Sequence, residues 1–410
     1  MPTFDWLTTL LIIAGVILVV MPTVGYLTLG ERKIAAWVQD RIGPNRVGPL
    51  GLLQPLVDGA KFFLKEATIP KNVDKLFYLL APAVAFAVAM CALAVVPWGG
   101  TTPPPAPVVV SAAGPASAVD EFNARQAEYA GQFQSVIAPG LDIGILFVFA
   151  LGSLAVYAVI LGGYSSNNKY SLLGSLRSSA QIISYEIPLG MSVVGVILFV
   201  GSMNIEAIVQ YQKTHGWFLF FQPLAFLLFM TSVYAECNRL PFDLPESEQE
   251  LVGGYLTEYG SLNFGMFMLG EYTHMITTSL LMSLLFWGGW TLFGLEDALT
   301  DPVWAFVLKA GILGAKVSFF LFLYLIVRWS IPRFRFDQLM TLAWKAMIPL
   351  SILHLLAAML VRQFDAPAWT LGVASVGLFV GAGLVAVATS HGPNNTPRRR
   401  KVSAPQLAAR

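Results

Sequence analysis

Long apolar runs separated by polar clusters dominate the chain. Nine of them, near 6–28, 76–97, 142–163, 182–203, 217–237, 263–293, 303–330, 346–362 and 368–390, approach or reach the ~20 residues that carry a helix across a ~30 Å hydrocarbon core. They lack the polar stripe that a helix on a water-soluble core keeps. The pattern predicts an all-α polytopic membrane protein with about nine transmembrane helices. The first run has no basic residue ahead of it and charges follow it, which separates it from a cleaved signal. No internal repeat is visible. Between the first two runs, Leu52, Leu53, Leu56, Val57, Ala60, Phe63 and Leu64 recur at helical spacing, with Asp58, Lys61 and Lys65 among them. That spacing predicts an amphipathic helix lying in the membrane interface, with turns at Gly43-Pro44 and Gly48-Pro49 ahead of it. It suits either a surface anchor or the floor of a slot open to lipid.

Charge sets the orientation. Hydrophobic residues make up 56% and charged residues 12%, about half the charge of a soluble chain. Most of the 25 basic residues fall on one set of connections. These carry Arg32, Lys33, Arg41, Arg46, Lys61, Lys65, Lys71 and Lys75, then Lys169, Arg177 and Arg239, then Arg328, Arg333, Arg335 and Lys345, and finally Arg398–Lys401 and Arg410. The other side holds Arg125, Lys213 and Arg362, and Lys309 and Lys316 fall inside the seventh run. Positive charge marks the inner side, so the N-terminus is expected to point outward and the C-terminus inward. One transmembrane domain is expected over 1–395. It has an outer insertion at about 98–141, inner loops at about 30–75, 163–181, 238–262 and 331–345, and a basic tail over 396–410. The insertion is rich in proline around Pro103–Pro107, with a short polar helix expected near 120–132.

A net charge of +1 points to no nucleic acid. Cys91 and Cys237 sit in apolar stretches and read as small buried hydrophobes; two thiols cannot hold a four-cysteine cluster. His215, His274, His354 and His391 lack metal-ligand spacing, so no metal site is expected. Neither a Walker loop nor a dinucleotide-binding glycine motif is present.

Acidic residues carry the chemistry. Between Ala235 and Gly260 lie Glu236, Asp243, Glu246, Glu248, Glu250 and Glu258, with only Arg239 to balance them locally. Like charges this close disfavour joint ionisation and titrate as a set. A solvated acidic turn is the plain alternative, but Phe242, Gly253, Gly254, Tyr255 and Tyr259 are interleaved, and a solvated run has no need of them. Asp142, Glu186 and Glu271 lie in or at the edge of runs, where a charge costs roughly 2.5–3.5 kcal/mol and usually marks a wet path for ions or protons. An interfacial carboxylate pinned by a neighbour is the other reading, strongest for Asp142. Arg333 and Arg335 are candidate partners for the acidic loop.

Several long strings, in order, carry a family resemblance. They are Glu31-Arg32-Lys33, Gln39-Asp40-Arg41 with 43–49 (GPNRVGP), Phe63-Leu64-Lys65-Glu66, and 165–171 (SSNNKYS). Ser184-Tyr185-Glu186, 238–243 (NRLPFD), the stretch from Glu246 to Tyr259 and 332–339 (PRFRFDQL) continue the series. Over most of its length the chain resembles the quinone-chamber membrane subunit of respiratory complex I.

The resemblance implies eight shared spans, sometimes with a ninth, and inner loops that build a chamber for a quinone headgroup, whether of ubiquinone or menaquinone. It implies flavin and iron–sulfur clusters on partner subunits, and antiporter-like membrane subunits as further partners. It places Glu31, Arg32, Arg41, Arg46 and Asp58 at the chamber entrance and wall, with Arg335 as a basic partner. It assigns proton coupling to Asp243, Glu246, Glu248, Glu250 and Glu258, and a buried acidic path to Glu186 and Asp142, beside which the in-span Glu271 is grouped. A related membrane chain of a membrane-bound hydrogenase is the nearest rival. An independent secondary transporter would be expected to show repeat symmetry, which is absent.

Overall fold

The computed structural model describes residues 6–100, 135–138, 141–244, 251–295 and 301–390. Secondary structure among them is helical. The helices are α1 (Trp6–Val38), α2 (Gln54–Leu64), α3 (Lys75–Ala92), α4 (Gly144–Ser165), α5 (Lys169–Val200) and α6 (Ile205–His215). There follow α7 (Pro223–Glu236), α8 (Ser261–Phe286), α9 (Pro302–Ser330), α10 (Phe336–Gln363) and α11 (Ala368–Ser390). Seven of the described helices are long and apolar enough to cross a membrane: α1, α3, α4, α5, α9, α10 and α11. The two remaining apolar runs form α7, only 14 residues long, and α8, which gives up hydropathy to Glu271, His274 and a run of hydroxyls. Those hydroxyls return to their own helix: Thr277, Thr278, Ser279 and Ser283 each donate to the carbonyl four residues back. Their polarity is thereby absorbed without water.

Local signals explain the helix ends. Asp74, Asn168 and Asn204 cap α3, α5 and α6 by accepting from Leu76 N, Tyr170 N and Ala207 N. Gly201 closes α5 at φ 76°, a conformation that favours glycine. Within α10, Leu342–Met347 widens to a π-helix just before Pro349, which has no N–H to offer the preceding turn.

Some expectations need correction. The stretch 163–181 was expected to be a loop, yet α5 begins at Lys169. Its serines and glycines are polar in composition but buried: Ser171, Ser175, Ser178 and Ser179 are enclosed. A Cβ on Gly174 would come within 2.5 Å of Gly254 Cα, so small residues here serve close packing. Similarly α1 extends to Val38 and α10 starts at Phe336, each taking residues from an expected loop. Helix α6 was not anticipated, although Asn204, Glu206 in its first turn, Lys213 and His215 in its last, and Gly216 are its punctuation. Most of the outer insertion, including the helix expected near 120–132, and the tail after Ser390 lie outside the described residues. Cys237 is buried as expected, whereas Cys91 is exposed on the helix surface.

The main core joins α1, α4, α5, α7, α8 and α9 around Tyr185, Phe229, Phe286 and Phe320. The amphipathic α2 has no buried residue and leaves Leu56, Phe63 and Leu64 exposed. It leans on α1, where Pro55 meets Gly25, and on α8, where Ser261 Oγ donates to the Phe62 and Lys65 carbonyls. Its outward apolar face fits a helix at the bilayer interface.

Lys316, a cation inside α9, is accounted for by structure. Its Nζ donates to the carbonyls of Trp287, Gly289 and Thr291 at 2.6, 2.8 and 2.7 Å, and lies 4.4 Å from the centre of the Trp217 ring. It thus caps the carbonyl end of α8, where a positive charge is favoured. Replacing Lys316 by Met is expected to cost ~2–4 kcal/mol through the orphaned carbonyls. Thermal unfolding of the purified, assembled protein should show a Tm several degrees lower; an unchanged Tm would refute the capping role.

Candidate functional site: a buried ion network and its acidic branch

Where α1, α7, α8 and α9 converge, four charged side chains meet away from water. Glu31 sits on the last turns of α1, Arg239 just beyond α7, Glu271 on α8 and Arg328 near the end of α9. Glu31 is 8% exposed and Arg239 7%. Arg239 donates to Glu31 Oε1 at 3.2 Å, and its Nε forms an ion pair with Glu271 at 2.6 Å. Arg328 and the Tyr272 hydroxyl also donate to Glu31. The Arg239 guanidinium lies over the Tyr272 ring at 4.3 Å. Two carboxylates and two guanidiniums balance formally. Any change in the charge of one member is therefore felt by the others in a low dielectric.

A branch leads from this network into the bundle. Glu271 borders a cavity of 80 Å³ that His274, Glu236, Asn238 and Tyr255 also line, with room for a few waters. His274 Nε2 lies 3.4 Å from Glu236 Oε1. A smaller space of 20 Å³ continues along Glu236, His274, Thr277 and Thr278. Gly152 borders both spaces, and a Cβ there would come within 2.9 Å of Glu236 Oε1, so glycine leaves room for the carboxylate. The next residue, Ser153, donates to Glu186 on α5. Carboxylates thus occur in the order Glu31, Glu271, Glu236 and Glu186, with arginine, histidine, serine and small cavities between them.

The acidic loop is tied down at both described ends. Asp243, 2% exposed, accepts from Arg333 at 3.0 Å, and Phe334 N donates to the Pro241 carbonyl. Gln181 of α5 donates to the Ala235 and Phe242 carbonyls at 2.7 and 2.8 Å. At the far end Glu258 accepts from Asn168, the residue that caps α5, at 2.8 Å. The Tyr78 hydroxyl donates to the Glu258 carbonyl, and the Tyr78 and Tyr259 rings stack at 4.3 Å. Burial pushes the Tyr259 phenol up to about 12, so it stays protonated beside Ser165 Oγ, 3.2 Å away. The interleaved aromatics and glycines therefore pack rather than face water.

Several expected site residues lie apart from this network. Arg32 donates to Asp58 at 2.6 Å, with Gln54 at 2.9 Å on the same carboxylate; this pair fastens α2 to α1 near the surface. Arg41 and Arg46 are exposed on the turns between α1 and α2. Asp142 is exposed on the turn before α4 and does not join the buried carboxylates, because the helix starts two residues later, at Gly144. Arg335 is 76% exposed at the side chain and pairs with Asp337 at 3.5 Å, so Arg333, not Arg335, is the partner of Asp243. Glu246, Glu248 and Glu250 lie outside the described residues. His274, Tyr272 and Arg328 were absent from the expected site, whereas Glu236 and Arg239 were named only as members of the acidic loop. One signal for His274 is its position three residues after Glu271 on one helix face.

These placements separate two neighbouring arginines. Arg333→Ala removes a guanidinium from the buried Asp243 carboxylate and is expected to cost ~3–5 kcal/mol. Native gels of membranes should show much less assembled complex for Arg333→Ala, while Arg335→Ala assembles and turns over as the wild type does. Equal behaviour of the two variants would contradict the pairing.

The family model described as NADH dehydrogenase matches residues 11–359, which include every member of the ion network and its branch. A protein of Cytophaga hutchinsonii, named as a first H subunit of NADH-quinone oxidoreductase, is 41% identical over 346 residues, covering 84% of this chain and 94% of its own length. The H subunit of the same enzyme from Leptospira biflexa is 43% identical over 359 residues, 87% of this chain and 95% of its own. That of Deinococcus radiodurans is 43% identical over 367 residues, 88% of this chain and 85% of its own. With buried charges spaced along a helical membrane bundle and likeness over most of its length, the chain belongs to the NADH dehydrogenase family, as a relative of the H subunit of bacterial NADH-quinone oxidoreductase.

Proposed function

We propose that this chain forms the quinone chamber of a proton-translocating NADH:quinone oxidoreductase and transmits quinone reduction to proton movement along its buried carboxylates. The observation that carries this reading is the order Glu31, Arg239, Glu271, His274 and Glu236, with Glu186 bound by Ser153 next to the cavity-lining Gly152. Quinone reduction takes up two electrons and two protons. Electrons come from partner subunits that carry flavin and iron–sulfur clusters, and antiporter-like membrane partners receive the proton signal. The basic connections lie in the cytoplasm and the N-terminus outside, in the bacterial inner membrane.

In this proposal the slot between α1, α2 and α8 admits the quinone, and the Arg32–Asp58 pair holds its floor. Arg41 and Arg46 face the partner subunits that complete the chamber. The acidic loop, with Asp243, Glu246, Glu248, Glu250 and Glu258, senses negative charge that appears transiently on the reduced headgroup. Asp243 and Glu258, held by Arg333 and Asn168, fix the ends of that loop. A charge change near Arg239 alters its attraction for Glu31 and Glu271, and the response reaches Glu236 through His274 and the small cavity. Proton transfer between such groups needs hydrogen-bond reach or one bridging water, which the cavity can hold. The ubiquinone or menaquinone ring binds by position and polarity; no covalent step on this chain is required.

Two substitutions test the reading in the assembled complex. Glu236→Gln keeps the shape but cannot accept a proton, and should lower coupled quinone reduction by ~10-fold or more. Glu246→Gln should lower the same activity while the complex assembles. Wild-type rates of quinone reduction and proton translocation in both assembled variants would sink the proposal.

A further inference from the structure

A wide cavity lies away from the ion network. It is a groove of 770 Å³ between α1, α8 and α9, on the parts of α1 and α9 nearest their N-terminal ends and therefore opposite α2 and the acidic loop. Leu11, Val16, Ile276, Leu280, Leu313 and Leu321 make its walls apolar. Hydrocarbon walls of this extent forfeit dispersion contacts when left empty and hold water poorly. Lipid-like chains are the matching content.

One end of the groove differs from the rest. Trp98 and Ser135 line it, and both Trp98 Nε1 and Ser135 Oγ are buried without a hydrogen-bond partner among the described residues. Ser135 is 5% exposed. The two residues are joined through the backbone, Trp98 N donating to the Ser135 carbonyl at 3.2 Å. Buried donors left unmet cost about 1–3 kcal/mol each, so an acceptor beyond the described residues is indicated. The adjoining Gly99-Gly100 pair presses on α9: a Cβ at Gly99 would collide with the Phe306 ring, which lines the groove, and one at Gly100 would lie 2.9 Å from Lys309 Nζ. Lys309 thus brings a cation to the same end as the two unmet donors, and it makes no ion pair among the described residues.

We propose that this groove is a binding site for an anionic phospholipid. Its acyl chains lie between α1, α8 and α9, and its phosphate and ester oxygens accept from Trp98 Nε1 and Ser135 Oγ beside Lys309. A quinone tail would suit the walls, but a neutral quinone ring carries no negative charge to pair with the lysine. Lipid in the groove would add contacts between α1 and α9, independently of the chamber chemistry.

The test uses the intact, tagged complex, freed of loose lipid in detergent and exposed to phosphatidylglycerol or phosphatidylcholine of matched chains. Native mass spectrometry counts what is retained. Gly314 lines the groove and has nothing within 4 Å of a built Cβ, so Gly314→Leu fills the space without a backbone clash. It should retain one phosphatidylglycerol fewer than the wild type. Lys309→Gln should weaken phosphatidylglycerol retention about fivefold, the equivalent of the ~1 kcal/mol that one basic side chain contributes near an anionic lipid, and leave phosphatidylcholine unchanged. Should Gly314→Leu fail to assemble, Gly15→Leu on the facing helix makes the same test, since Gly15 too has open space. Undiminished phosphatidylglycerol in the filled variant would overturn the site. Loss of bound quinone in place of phospholipid would assign the groove to an isoprenoid tail, and an unaltered lipid preference in Lys309→Gln would remove the anionic headgroup.

Discussion

The pairing of Glu31 and Glu271 with Arg239 and Arg328 is the constraint around which this bundle is arranged. Removing four charges from water costs several kcal/mol per ion, and only close mutual contact offsets it. The helices that carry these residues must therefore converge at one place. Tyr272 reinforces the arrangement twice, as a hydroxyl donor to Glu31 and as an aromatic face beneath Arg239. An apolar replacement would pack at least as well, since buried pairs add little net stability. The retention of ionisable groups at such a crossing accords with a role in handling charge.

The branch beyond Glu271 has a different character. His274 meets Glu236 beside two small spaces, and Ser153 meets Glu186, by single contacts rather than by a locked salt bridge. Single contacts beside spaces that can hold a water would let protons redistribute, whereas paired arginines fix charge. The two parts share Glu271, which faces Arg239 on one side and the cavity on the other. Rigid sensing next to adaptable transfer is a reasonable division for a chain whose relatives are named as subunits of an oxidoreductase.

Much of the fold is legible in the sequence because hydrocarbon imposes a simple length rule, and the apolar runs obey it. The amphipathic α2 is likewise visible in its leucine spacing. What escapes is polarity that the protein buries. The Ser-rich stretch before Tyr185 reads as a loop, yet becomes α5, its serines buried and its Gly174 packed closely against Gly254. Lys316 looks functional in isolation and proves to be a helix cap. Among site residues, in-span carboxylates are conspicuous by their cost, so Glu186 and Glu271 stand out. Their partners do not, because pairing joins positions far apart in the chain, as in Arg328 with Glu31. The exchange of Arg335 for Arg333 shows the same limit: two arginines two residues apart alternate between the buried Asp243 and the surface.

The most direct test of the central claim, that quinone reduction changes the protonation of the buried carboxylate row, is redox-triggered infrared difference spectroscopy of the assembled complex. The account predicts carboxyl bands that appear on quinone reduction and lose a component specifically in Glu271→Gln, with the iron–sulfur signals of the partner subunits unchanged. A difference spectrum identical in the wild type and that variant would mean that the row does not respond to the quinone.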